Sequence, residues 1–263
     1  MLAAICINNT SPCGISKPAW RLSVWLSYSM PCIEASMIKA VFFDLDNTLV
    51  DRSASIERFA AAFVGHYQSR LQHSKAKPIA SLIKHIDNGG YLPAGSPYKK
   101  VYEAIGSELA LQLDWIEPVS ADELTAFWRG EFPKNTVEME GAQRLLQQLH
   151  NDRYYLGIIS NGAHDSRQAT VNNTSFQPLI RELVSSGGFG CSKPDARIFL
   201  AAIAAAGLQP SQCMYVGDHP VNDIQGALAV GMQATWLQGY HPASESAAEV
   251  NTIKHLSELV GFL

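Results

Sequence analysis

The strongest constraint on the fold is the run Ile38–Val50, IKAVFFDLDNTLV, in which a near-continuous apolar segment ends in two carboxylates, Asp44 and Asp46. A strand that is apolar on both faces belongs in the middle of a parallel sheet, with helices above and below it. The rest of the chain repeats that theme. Tyr154–Ile159 reads as a buried strand ending at Ser160-Asn161-Gly162, a short strand is expected near Leu183–Ser186, and Cys213–Val216 runs into Gly217-Asp218. Ala234–Leu237 is expected as the last strand. Helical patterns alternate with these: Glu138–Leu149, a segment after Gly162, Ala196–Ala206 stopped by Gly207, and Ile224–Val230 closing at Gly231. The alternation predicts an α/β fold with a doubly wound parallel sheet.

Between the first strand and Pro133 the period is helical. Ile56, Phe59, Ala60, Phe63 and Tyr67 recur at helical spacing, as do Val101, Ile105, Leu109 and Leu113, and the stretch 88–95 between them, NGGYLPAG, is turn chemistry. Residues 37–50 and 136–263 are therefore expected to build the sheet, with a helical insertion at 51–135. Residues 1–36 stand apart, since Lys17, Arg21 and Glu34 are their only charges and no helical or strand period runs through them. They are expected to be a disordered extension, with Met37 as the natural start. Leu22–Met30 is too short to span a bilayer and lacks the basic flank of a secretory leader.

Composition narrows the function. A 263-residue chain that is 47% hydrophobic is not the composition of a disordered one, and a net charge of −4 leaves no electrostatic footprint for nucleic acid. Five cysteines, three of them in the first 36 residues, do not make a disulfide framework, so a reducing, cytoplasmic setting is expected.

Ligands of an open parallel sheet bind beyond the carboxyl ends of its strands. Each expected end carries useful polar groups: Asp44-Leu45-Asp46-Asn47-Thr48, then Ser160-Asn161, then Lys193 in a Gly-rich loop, then Gly217-Asp218 with Asp223 close behind. Two carboxylates at i and i+2 of an extended segment can point the same way. Two more from another strand end make a concentration of negative charge that calls for a cation, and an acid-rich, oxygen-only set suits Mg²⁺. Lys193 adds positive charge, and Ser160 with the N–H groups of Asn161 and Gly162 adds donors. That mixture matches a phosphoryl group in transfer.

In this order the motifs DLDNT at 44–48, SNG at 160–162, KPD at 193–195 and GDHPVND at 217–223 resemble those of the haloacid dehalogenase-like (HAD) hydrolase superfamily. The likeness covers nearly everything from Met37 onward, and the insertion is similar to the helical cap of the subfamily I branch, in its phosphatase members. The resemblance implies a Rossmann-like core with an inserted cap domain, and a Mg²⁺-dependent phosphatase acting on a small phosphate monoester. Carried over position by position, it makes Asp44 the nucleophile that forms an aspartyl-phosphate. Asp46 becomes the general acid and then the base, held protonated beside an ionised Asp44. Mg²⁺ would be held by Asp44, the main-chain carbonyl of Asp46, and Asp218, with Asp223 as an outer-sphere ligand or an orienter of Lys193. Thr48 and Ser160, with Asn161 and Gly162, would steady the phosphoryl oxygens, and Lys193 would offset charge.

Other readings of the same residues stay open at this level. Ser160 is also a candidate N-cap for the helix after it, and Asp223 for a helix starting at Ile224. His219 and Cys191 receive no role. In the insertion, Arg58, Tyr91, Lys99, Lys100 and Trp128 are candidates for substrate contact, and the Gly89–Gly95 loop is where specificity is expected. A dehalogenase of this fold has no need of an acid at position 46, because halide leaves without a proton. A phosphomutase needs both aspartates but tends to follow the second with Gly-Val, where this chain has Asn47-Thr48. An inert binding protein usually lacks one of the key carboxylates or the lysine, and none is missing. The expected partner is a small phosphate ester, with neither nucleic acid nor membrane.

Overall fold

The computed structural model describes residues 37–73, 75–242 and 250–263, so the extension expected at 1–36 lies outside the described residues. One six-stranded sheet runs in the order β3-β2-β1-β4-β5-β6 and every pairing in it is parallel. Its strands are β1 (Ala40–Phe43), β2 (Tyr155–Ser160), β3 (Glu182–Ser185), β4 (Cys213–Gly217), β5 (Gln233–Leu237) and β6 (Asn251–Ile253). The doubly wound α/β expectation holds. Ala234–Leu237 is not the last strand, however: β6 adds an edge that three residues, only one of them buried, could not announce by period.

The alternation of side chains along β1 explains why its sequence is apolar throughout. Val41 and Phe43 face one layer, with α5 (Ala142–Asn151) supplying Leu145, Leu146 and Leu149 and the C-terminal turn supplying Leu256 and Leu259. Ala40 and Phe42 face the other, with Ile198, Phe199, Ala202 and Ile203 of α8 (Ala196–Ala206). Two helix boundaries differ from expectation. The helix expected from Glu138 starts at Ala142, because Glu138 is bridged to Val50 and Gly141 turns left-handed at φ 82°. The helix expected at Ile224–Val230 is a π-helical turn, Pro220–Gln225, running into the single turn α9 (Gly226–Ala229).

The insertion is a bundle of α1 (Arg52–Tyr67), α2 (Ala76–Asp87), α3 (Val101–Gln112) and α4 (Ala121–Glu131). It has an apolar core of its own: Ile56, Phe59, Ala60, Phe63 and Tyr67 pack against Ile83, Ile105, Leu109 and Trp128. The chain leaves and re-enters the sheet through a paired stem, in which Asp51 N–H donates to Val137 O and Met139 N–H to Leu49 O, both at 2.9 Å. Asp51 also caps α1, accepting from Ala54 N–H at 2.8 Å. Two further helices complete the second half, α6 (His164–Asn172) after β2 and the short α7 (Ser186–Phe189) after β3.

Candidate active site

Register places the motifs together. Phe43 lies opposite Ile158 on one side and Val216 on the other, and the Asp44 N–H donates to Val216 O at 2.9 Å. Asp44, Ser160 and Asp218 therefore emerge together at the carboxyl end of the sheet's strands. A tight turn follows β1, with Asn47 in the left-handed region at φ 57° and Asn47 N–H donating to Val50 O at 2.7 Å. This turn brings Asp46 back over the strand end.

Lys193 arrives from the loop before α8. The Asn161 side chain ties that loop to β2, donating to Lys193 O at 3.1 Å and accepting from Lys193 N–H at 2.9 Å. The ammonium has three hydrogens and three acceptors: Asp44 Oδ1 and Asp223 Oδ1 at 2.6 Å each, and Tyr215 Oη at 2.8 Å. Tyr215 in turn donates to Ile159 O at 2.8 Å. Burial works against the lysine's charge, but the Asp223 and Asp44 carboxylates outweigh it and hold the group protonated.

Asp223 is neither an N-cap nor exposed. It sits within the π-helical turn, 1% accessible, with Oδ1 on Lys193 and Oδ2 accepting from His219 N–H at 2.9 Å. It reaches there because Gly217 has no side chain: a Cβ at that position would lie 2.4 Å from Asp223 Oδ2. His219, given no role by sequence, caps the turn, its Nδ1 accepting from the N–H groups of Val221 and Asn222.

Asp46 departs from expectation. Two guanidinium groups meet its Oδ2, Arg52 Nη1 at 3.0 Å and Arg167 Nη1 at 2.7 Å. Burial raises a carboxyl's proton affinity, but Arg167 and Arg52 outweigh it and hold Asp46 below the usual range. Asp44 behaves oppositely: burial and the neighbouring Asp223 and Asp218 push it up to about 7 against the pull of Lys193. The protein alone thus favours an ionised Asp46, not the protonated one expected.

A cleft is lined by Asp44, Asp46, Ser160, Asn161, Lys193 and Asp218, and is closed from the bundle side by Gly89, Gly90 and Tyr91. Tyr91 reaches across to the π-helical turn after β4, where Asn222 Nδ2 donates to its Oη at 3.1 Å. The enclosed space is small, ≈ 40 Å³; a larger groove of ≈ 690 Å³ lies along the exposed face of α5 and gathers no comparable set of groups. Two expected phosphate contacts are absent from the lining. Thr48 is fully buried with its hydroxyl unpartnered among the described residues, and the Gly162 N–H is taken by Ser186 Oγ at 2.9 Å. Gly162 has another use: at φ +142° and with no Cβ, which would lie 2.4 Å from Arg167 Nε, it lets Arg167 fold back to the site. Ser160 is not the cap of α6, a position held by Ala163.

No motif in the sequence marks Arg52 or Arg167. Arg52 lies four residues past the first motif and Arg167 in the first turn of the helix after the second, places where a side chain can turn back to the strand ends. Spacing alone does not distinguish them from surface arginines.

The acidic cluster suits a cation. Oxygens of Asp44, Asp218 and Asp223 lie within 4.8 Å of one another, all three residues are buried, and among the described residues Lys193 is the one ammonium beside them. Burial and its acidic neighbour Asp223 raise the Asp218 carboxyl, with His241 pulling the other way. Three crowded, buried carboxylates with hard oxygen donors fit a divalent metal.

Residues 38–231 match the family described as haloacid dehalogenase-like hydrolase. The glyceraldehyde 3-phosphate phosphatase of Pyrococcus furiosus is 27% identical over 205 residues, covering 76% of this chain and 81% of its own. The phosphoserine phosphatase of Thermus thermophilus is 28% identical over 245 residues, covering 84% and 98%. Among solved structures, the HAD-hydrolase YfnB of Bacillus subtilis, solved bound to magnesium, superposes with a TM-score of 0.68 at 19% identity, over 86% of this chain and 99% of that one, which is a likeness of fold. The family match takes in all four strand-end motifs, and the chain belongs to the haloacid dehalogenase-like hydrolases.

Proposed function

We propose that this protein is a Mg²⁺-dependent phosphatase that hydrolyses a small phosphate monoester through an aspartyl-phosphate on Asp44. The observation that carries the reading is the Asp44 carboxylate, buried at a strand end against Lys193, with a second carboxylate two residues on in the same closed cleft. The phosphatase relatives support it, while their differing substrates leave the ester itself open.

In the first half-reaction an Asp44 oxygen bonds to phosphorus, the bond to the leaving oxygen breaks, and Asp46, after taking up a proton from solvent, supplies the proton that oxygen takes up. In the second, Asp46 removes a proton from water, the water oxygen bonds to phosphorus, and the bond to Asp44 breaks to release phosphate. The ionised Asp46 of this structure is the form the second half-reaction uses. Lys193, pinned by Asp223 and Tyr215, offsets charge on the nucleophile and the phosphoryl oxygens. Asp44, Asp218 and the Asp46 carbonyl would hold Mg²⁺, which supplies positive charge to those same oxygens. Asp223, with both oxygens engaged, serves as the orienter of Lys193.

Residues 51–135 act in this reading as a cap, the sheet and its helices (37–50 and 136–263) as the catalytic core. The acid at position 46 disfavours haloacid chemistry, and the complete charge set disfavours an inert binding protein. Free thiols at Cys191 and Cys213 support a reducing, cytoplasmic setting. Among the described residues no helix is long and apolar enough to cross a membrane.

The test is phosphate release from p-nitrophenyl phosphate with Mg²⁺ and with EDTA, beside Asp44→Asn. Release that needs the metal and is abolished in the variant is expected. Full turnover by folded Asp44→Asn, with deamidation excluded, refutes the nucleophile.

A further inference from the structure

Two arginines that belong to none of the motifs converge on Asp46, and each is anchored from behind. Arg52 opens α1. Its Nη1 meets Asp46 Oδ2 at 3.0 Å, while its Nε and Nη2 donate to the two oxygens of Asp87 at 2.8 and 2.6 Å. Asp87 ends α2, is 1% accessible, and among the described residues its side chain bonds Arg52 alone. Arg167 meets the same Asp46 oxygen at 2.7 Å and donates its Nε to Asn161 O at 2.9 Å.

Stability is a poor account of this arrangement. Burying a guanidinium with a carboxylate is often no better than burying an apolar pair of the same size, because both groups lose their water. What the pairing does supply is geometry. Three directed bonds to two carboxylates fix the plane of the Arg52 fork, which a lysine's point charge could not do. Both ion pairs also end on Oδ2, so Oδ1 is the Asp46 oxygen left for the cleft that Asp46 lines.

We infer that Asp87, acting through Arg52, and Arg167 beside it are positioning residues that hold Asp46 by Oδ2 and present Oδ1 to the reacting group. This rests on the acid–base assignment of Asp46 above. Asp87 thereby links the bundle to the chemistry: the residue that orients Arg52 also begins the turn Asn88–Gly90, whose glycines close the cleft.

Single turnover of p-nitrophenyl phosphate, with enzyme in excess and Mg²⁺ present, separates the two half-reactions. p-Nitrophenolate leaves without a proton, so its appearance reports attack by Asp44. Phosphate release reports the step in which Asp46 takes a proton from water. Asp87→Asn keeps the side-chain shape and removes the charge; Arg52→Lys keeps the charge and removes the fork. Phosphate release is expected to slow about tenfold or more in each, with p-nitrophenolate release within about twofold of the original chain.

Equal slowing of both steps would mean a structural role and overturns the inference, as would unchanged rates. If Asp87→Asn melts below the assay temperature by circular dichroism, Arg52→Lys carries the comparison. An unsubstituted chain that releases both products while the variants behave like it refutes positioning and leaves the phosphatase reading intact. An unsubstituted, folded chain that releases neither product refutes both.

Discussion

The Lys193 ammonium lies 2.6 Å from Asp44 Oδ1, across 149 positions of sequence, and both groups are buried. A charge pair so placed is a poor source of net stability but a costly one to break from one side. Lys193→Met leaves Asp44 and Asp223 facing each other with no cation. Urea unfolding in EDTA is expected to show a loss of about 3–5 kcal/mol, and phosphate release should fall to background. A variant as stable as the original chain would mean that the carboxylates are already neutral.

A divalent metal is expected to stabilise the fold, because it binds carboxylates that crowd one another without it. Saturating Mg²⁺ at a hundredfold excess over its dissociation constant corresponds to about 2.7 kcal/mol, read as a rise in thermal midpoint. Asp218→Asn should abolish the rise, whereas a rise of the same size in that variant would move the metal elsewhere.

Gly162→Ala tests the passage of Arg167. The added Cβ would meet Arg167 Nε at 2.4 Å on a backbone at φ +142°, so the arginine must withdraw or the turn must shift. We expect a loss of about 1–3 kcal/mol in unfolding free energy together with lower turnover. Unchanged values of both would show that the turn relaxes freely.

The bundle has its own weak point in Phe59, whose ring lies 4.7 Å from Trp128 and within 6.1 Å of Phe63, Phe127 and Phe132. Phe59→Ala should cost about 3–5 kcal/mol, measured by urea unfolding. A loss confined to the bundle would give a two-step transition, with the sheet melting second.

The sheet was legible because its central strands are buried on both faces and therefore apolar without interruption, as Val41, Phe42 and Phe43 are. β6 was not, because an edge strand of three residues has too little buried surface to leave a period. Asp44, Ser160 and Asp218 were readable in the same way, each standing at or just past the end of an apolar run, whereas Lys193 was readable only from the Gly-rich loop that carries it. Arg52, Arg167 and Asp87 were not readable. They act through tertiary direction, and a charged residue at a helix terminus has the same local sequence whether it faces water or the site. Thr48 and Gly162 show the converse, since a motif fixes residue type more firmly than it fixes which atom meets the substrate.

The two strands of the stem at Leu49–Asp51 and Val137–Met139 are already hydrogen-bonded to each other where the bundle begins and ends. Everything between them hangs from a closed clasp, so the path of the chain through the sheet does not depend on what is attached there. A short hairpin could replace the four helices without moving β1 relative to β2, and a different set of helices could be grafted on. Laboratory chimaeras between members of this fold have a natural seam at those two segments, provided that the grafted helices bring equivalents of Arg52 and Asp87 to Asp46.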